Sequence, residues 1–179
     1  MSPLRTLKAV LDRSLEVLVM VVVAVLVLDV LWQVFTRFVL DNPSTWTEEL
    51  AVFMLIWVSL LGAAVALNRG AHLGIDYFVG KLPDRAKLAT EVVVFLSVAL
   101  FSLFVMIIGG VDLVLSTLEL EQRSPALHVK MGYVYLAVPI SGSFLTLYAV
   151  IGLVERIREL LTGRAGPDEH ATSSDVSID

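Results

Sequence analysis

Residues 50–68 read LAVFMLIWVSLLGAAVALN, nineteen residues without one charge. A hydrocarbon core ~30 Å thick is crossed by about 20 apolar residues in helical form, so this run is long enough to span a bilayer. Working outward from it, residues 92–111 and 131–154 are also charge-free, and residues 17–36 carry a single charge, Asp29. The 179 residues are 57% hydrophobic and 17% charged, with a mean hydropathy of +0.83. The apolar excess is therefore bundled into four segments and not spread along the chain. A soluble fold would have to hide four such helices under roughly the remaining half of the sequence, which is too little cover. Soluble enzymes and nucleic-acid binders are excluded.

The chain contains no cysteine, which removes disulfides, thiolate zinc sites and iron–sulfur ligation. Its three histidines, His72, His128 and His170, are too scattered to make a ligand cluster. His72 and His128 are also expected on opposite sides of the membrane, so a di-haem arrangement fails. No cofactor, bound metal or catalytic activity is expected.

The fold class that follows is an all-α membrane protein with four transmembrane helices, at about 14–40, 48–68, 86–118 and 131–156. These make one domain over 1–161, and the polar, acidic tail 162–179 is expected to be disordered. The basic start MSPLRTLKAVLDR leads into an apolar run that continues to Leu40 with no small-residue cleavage site. It reads as a retained helix, not a signal peptide. Orientation follows from Lys and Arg counts. With the N-terminus inside, Arg5, Lys8, Arg13, Arg69, Lys81, Arg85, Lys87, Arg156, Arg158 and Arg164 are cytoplasmic, and only Arg37, Arg123 and Lys130 are outside. Both termini are thus expected in the cytoplasm.

The connections have their own chemistry. Asp41-Asn42-Pro43-Ser44 is built of turn residues. Thr47 can cap the second helix, whose first turn carries Glu48 and Glu49, where the helix dipole favours negative charge. Between helices two and three, Ile75, Phe78, Val79 and Leu82 recur at i, i+3, i+4, i+7, which predicts a short amphipathic helix in the inner interface, ended by Pro83. The third helix, read from about 85 to 121, would be about 55 Å long, with Gly109-Gly110 as a place to bend. Pro139 should kink the fourth helix.

Asp29 is the first candidate for function, because an ionisable group in the bilayer costs ~2.5–3.5 kcal/mol on insertion scales. With Gln33, Thr36 and Arg37 it makes a polar stripe that cannot face lipid. Two readings stay open: a hydrogen-bonded carboxyl joining this helix to a neighbour or another protein, or the coupling acid of an independent small proton-driven transporter. Arg37 lies within ion-pair reach of Glu48 and Glu49 across the short turn, and either pairs with them or points to a partner. Ser59, Gly62, Ala63 and Ala66 form one small-residue face that lets another helix approach closely.

In order along the chain stand Arg37 closing helix one, Trp46 with Glu48-Glu49 opening helix two, and Gly62-Ala63 within it. They are followed by Gly70-x-His72, Asp76, Leu82-Pro83, the run Ser124-Pro125-Ala126-Leu127, and Pro139. This set, over about residues 37–140, resembles the small membrane subunit of tripartite ATP-independent periplasmic (TRAP) transporters, the DctQ type. The resemblance implies a multi-pass protein of the bacterial or archaeal cytoplasmic (inner) membrane. It implies a one-to-one pair with a large membrane subunit that moves an organic acid, often a carboxylate, by a sodium-driven elevator motion. A periplasmic solute-binding protein would be the transient second partner. The small subunit would act as a stationary scaffold. On that reading Asp29, Gln33, Ser59, Gly62 and Ala66 are packing or subunit-interface residues. Arg37, Trp46, Glu48 and Glu49 fix the outer hairpin, and His72, Asp76, Phe78, Leu82 and Pro83 form the inner turn and interfacial helix. Pro125 and Pro139 shape the outer loop and helix four.

Overall fold

The computed structural model describes residues 3–42, 44–69 and 84–162. The anticipated interfacial helix, with His72, Asp76, Phe78, Leu82 and Pro83, lies outside the described residues, as does the tail from 163 onward. Within them the chain is helical, apart from the turn after Phe38 and a loop that carries one isolated antiparallel bridge, Arg123 to Lys130. The helices are α1 (Pro3–Phe38), α2 (Thr45–Asn68), α3 (Asp84–Phe101), a π-helical stretch (Ser102–Gly109), α4 (Gly110–Glu119), α5 (Met131–Tyr135) and α6 (Ala137–Thr162). Four rods result, each long and apolar enough to cross a membrane: Val10–Phe38, Thr45–Asn68, Leu88–Glu119 and Met131–Thr162.

The first turn forms as its residues dictate. Asp41 takes a left-handed backbone, φ 48°, and the Asn42 N–H closes onto the Thr36 carbonyl at 3.2 Å, ending α1. Helix two then starts earlier than expected. Ser44, extended at φ −84° and ψ 117°, occupies the N-cap position that the sequence assigned to Thr47. Thr47 is fully buried in the first turn, and its hydroxyl turns back onto the Ser44 carbonyl (2.8 Å) and hydroxyl (2.5 Å).

The third rod does not bend simply at Gly109-Gly110. Over Ser102–Gly109 its hydrogen bonding widens to the i→i+5 pattern, and α-helix resumes at Gly110. The buried positions Ser102, Met106, Gly110 and Val114 step by four. Three of them meet the fourth rod directly: Ser102 bonds Thr146, Met106 lies against Gly142, and Gly110 lies against Val138 and Pro139. That rod is interrupted at Leu136, between α5 and α6. Pro139 lacks the N–H that the Tyr135 carbonyl would accept, while the flanking bonds Leu136 N–H to Gly132 and Ile140 N–H to Leu136 survive at 3.2 Å.

The rods meet in sequence: α1 against α2, α2 against α6, and α6 against α3 and the π-helical stretch. The two hairpins are joined by a buried cluster of Leu15, Leu61, Leu67, Ala64, Tyr148 and Ala149, where α2 nears its end and α6 is at its middle.

Candidate functional site

The rods have two ends. One carries the α1–α2 turn and the 120–130 loop; the other carries the start of α1 and the end of α6. Charged side chains that tie one segment to another gather at these ends.

At the loop end the key group is Glu49. Its Oε2 accepts the backbone N–H groups of Ala126 (3.0 Å) and Leu127 (2.7 Å). The loop that presents them is closed on itself: Ser124 N–H donates to the Val129 carbonyl (2.9 Å), Met131 N–H to Gln122 (2.9 Å), and Glu121 and His128 take left-handed backbone. A carboxylate with two N–H donors at fixed positions is a charge-assisted clamp, and it binds the second rod to the connection between the third and fourth. The sequence left two readings open for Arg37 at this end. Arg37 makes no ion pair with Glu48 or Glu49 among the described residues; it is exposed, with its guanidinium 6.0 Å from the Phe38 ring centre. The fixed backbone donors hold Glu49 without the rotamer entropy that ordering Arg37 would cost. Glu48 and Trp46 are exposed, and Pro125 with Ala126 forms one wall of a groove whose other wall is Glu48, Val52 and Phe53.

At the opposite end Arg69 meets Glu16 (2.9 Å), and the Tyr148 hydroxyl donates to Asp12 Oδ1 (2.7 Å). Arg156 bridges Glu91 and Glu159, both at 2.7 Å. These ties connect α1 to α2, α1 to α6 and α3 to α6. Sequence reasoning missed them: each joins residues more than fifty positions apart except the Arg156–Glu159 pair, whose i, i+3 spacing was the one available signal.

In the middle, the expected polar stripe on α1 is divided. Asp29 and Thr36 are buried, at 7% and 5% exposure, Gln33 is half-buried, and Arg37 is exposed. Thr36 donates to the Gln33 carbonyl (3.0 Å), whereas Asp29 Oδ2 has no hydrogen-bond partner. No group of three His, Cys, Asp or Glu among the described residues could hold a metal ion. Of the small-residue face on α2, Ser59, Ala63 and Ala66 are exposed, and a Cβ at Gly62 would meet open space. Pro139 is buried.

Four rods long and apolar enough to cross a membrane, tied to one another at both ends, are the build of a membrane-embedded helical subunit. Residues 26–159 match the DctQ component of tripartite ATP-independent periplasmic transporters, and the chain belongs to that family. It is 28% identical over 179 residues to the sialic acid TRAP transporter small permease protein SiaQ of Vibrio cholerae, covering 98% of this chain and 97% of that protein. It is 32% identical over 102 residues to the C4-dicarboxylate TRAP transporter small permease protein DctQ of Rhodobacter capsulatus, covering 56% and 44%. A third relative, the isethionate TRAP transporter permease protein DctMQ of Oleidesulfovibrio alaskensis, is 30% identical over 118 residues; these are 64% of this chain and only 18% of that longer protein.

Proposed function

We propose that this chain is the small permease subunit of a sodium-driven, binding-protein-dependent transporter for an organic acid, and that it serves as the stationary support of a large elevator-type subunit in a bacterial inner membrane. Both termini face the cytoplasm, as the ten-to-three distribution of Lys and Arg favours, so the Glu49-clamped loop lies on the periplasmic side, where the solute-binding protein docks. The observation that carries the reading is where the charged groups go. Glu49, Glu16, Asp12 and Glu91 are each spent on tying one segment of the chain to another. An elevator moves its cargo only relative to something that stays still, and end-clamped rods supply that. The relatives named above handle sialic acid, C4-dicarboxylates and isethionate, two carboxylates and a sulfonate, which sets the substrate class to test as small organic anions.

The test is reconstitution of the large subunit in vesicles with the binding protein and a sodium gradient, with and without this chain. Uptake is expected only when the chain is present. Full uptake in its absence would end the scaffold reading.

A further inference from the structure

The exposed face of α2 differs from that of α1. Along it, Glu48, Val52, Leu55, Ser59, Gly62, Ala63 and Ala66 fall within one helical stripe, all exposed except Gly62, which is half-buried. The stripe begins in the groove formed with Pro125 and Ala126, where Val52 is 51% exposed, and narrows to small residues deeper in the membrane. By contrast, α1 exposes Val21, Val27, Leu28, Leu31, Val34 and Phe35, the bulky apolar surface that lipid chains cover well.

Two further observations say what covers the α2 stripe. The first is Ser59. Ser97 and Ser143 donate to the carbonyls four residues back, Val93 and Pro139, at 2.8 Å, but the exposed Ser59 hydroxyl has no partner among the described residues. A hydroxyl facing hydrocarbon without a partner is costly; one facing a neighbouring helix has acceptors to use. The second is the DctMQ relative, in which the stretch matching this chain is 18% of a much longer permease protein. There the small part shares one polypeptide, and so one membrane, with a large permease.

We propose that this α2 stripe is the surface against which a membrane-spanning helix of the large permease subunit packs, seated in the Glu48–Val52–Pro125–Ala126 groove at one end and closest to the α2 backbone at Gly62–Ala66. α1 is then the lipid-facing edge. This rests on the function proposed above. The partner helix crosses near Gly62, where the absence of a side chain gives it the shortest approach, and it supplies the acceptor for Ser59.

Because the chain has no native cysteine, single cysteines report position directly. Ser59→Cys, Ala63→Cys and Ala66→Cys on α2, and Val23→Cys, Val27→Cys and Leu31→Cys on α1, are each co-expressed with the large permease subunit and labelled in membranes with a benzophenone maleimide. The α2 set should give photo-adducts with the large subunit and the α1 set should not. Ala63→Trp should lower the amount of large subunit that co-purifies by about tenfold, while Val27→Trp leaves it unchanged. Adducts from the α1 set alone, or adducts between two copies of this chain, overturn the proposal. If wild-type chain and large subunit co-purify but α2 gives no adduct, only the assigned surface falls; if they never co-purify, the scaffold reading falls with it.

Discussion

Between the third and fourth rods, side chains press into gaps left by glycine. A Cβ at Gly142 would sit 2.6 Å from the Met106 Cβ, and one at Gly152 would sit 2.5 Å from the Phe95 ring. Ser102 and Thr146 join hydroxyls at 2.8 Å along the same seam, and Arg156 and Glu91 finish it at 2.7 Å. Between α1 and α2 the arrangement is looser: among its described residues α1 buries only Leu15, Asp29 and Thr36. Its fastenings are the turn at Asp41 and the Glu16–Arg69 pair. The second hairpin satisfies its own packing. The first leaves long faces open, and on α2 that open face is small and polar enough to receive another helix.

That contrast can be broken or sharpened by substitution. The largest effect is expected at the tight seam. Gly142→Leu drives a side chain into Met106 and should destabilise the solubilised protein by about 3 kcal/mol, read as a lowered melting temperature; an unchanged melt would mean the seam is not close-packed. Next comes the clamp between hairpins. Glu49→Ala leaves the Ala126 and Leu127 N–H groups without their acceptor and should cost about 1–3 kcal/mol. Hydrogen exchange should quicken at those two amides, less so in Glu49→Gln, which keeps an oxygen there. In the loose hairpin, Arg69→Ala should cost under ~1 kcal/mol, because an ion pair whose arginine is 64% exposed is largely screened. A loss as large as that of Gly142→Leu would erase the distinction between the hairpins. Smallest of all, Asp29→Asn keeps the size and most of the hydrogen-bonding capacity of a carboxyl that ties nothing charged, and gradient-driven uptake by the chain with its large subunit and binding protein should be unchanged. Abolished coupling in that variant would favour the rival in which Asp29 carries protons.

Much of the architecture was legible because hydrocarbon thickness acts on simple quantities. Three charge-free runs near twenty residues, and a fourth with only Asp29, announced four rods, Asp41 and its neighbours announced the turn, and the missing N–H of Pro139 announced a distortion in the fourth rod. The π-helical stretch was not legible: SLFVMIIG is an apolar run in which no residue type marks a change of winding. The Glu49 clamp was hidden for a different reason. Its partners are backbone amides, which every residue but proline carries, so the sequence marks no complement and Arg37 looked like the natural mate. The ends of the rods were hidden likewise, since Asp12–Tyr148 and Glu91–Arg156 pair only after the helices have been placed in order. What could be read of the candidate interface was its residue types on α2; that they point away from the rest of the chain required the fold.

The most direct measurement is uptake by this chain alone. Purified without a large subunit and sealed into vesicles, with sodium or proton gradients imposed and labelled sialic acid or C4-dicarboxylates outside, it should accumulate no solute above empty vesicles. Gradient-driven accumulation by the lone chain would contradict the account.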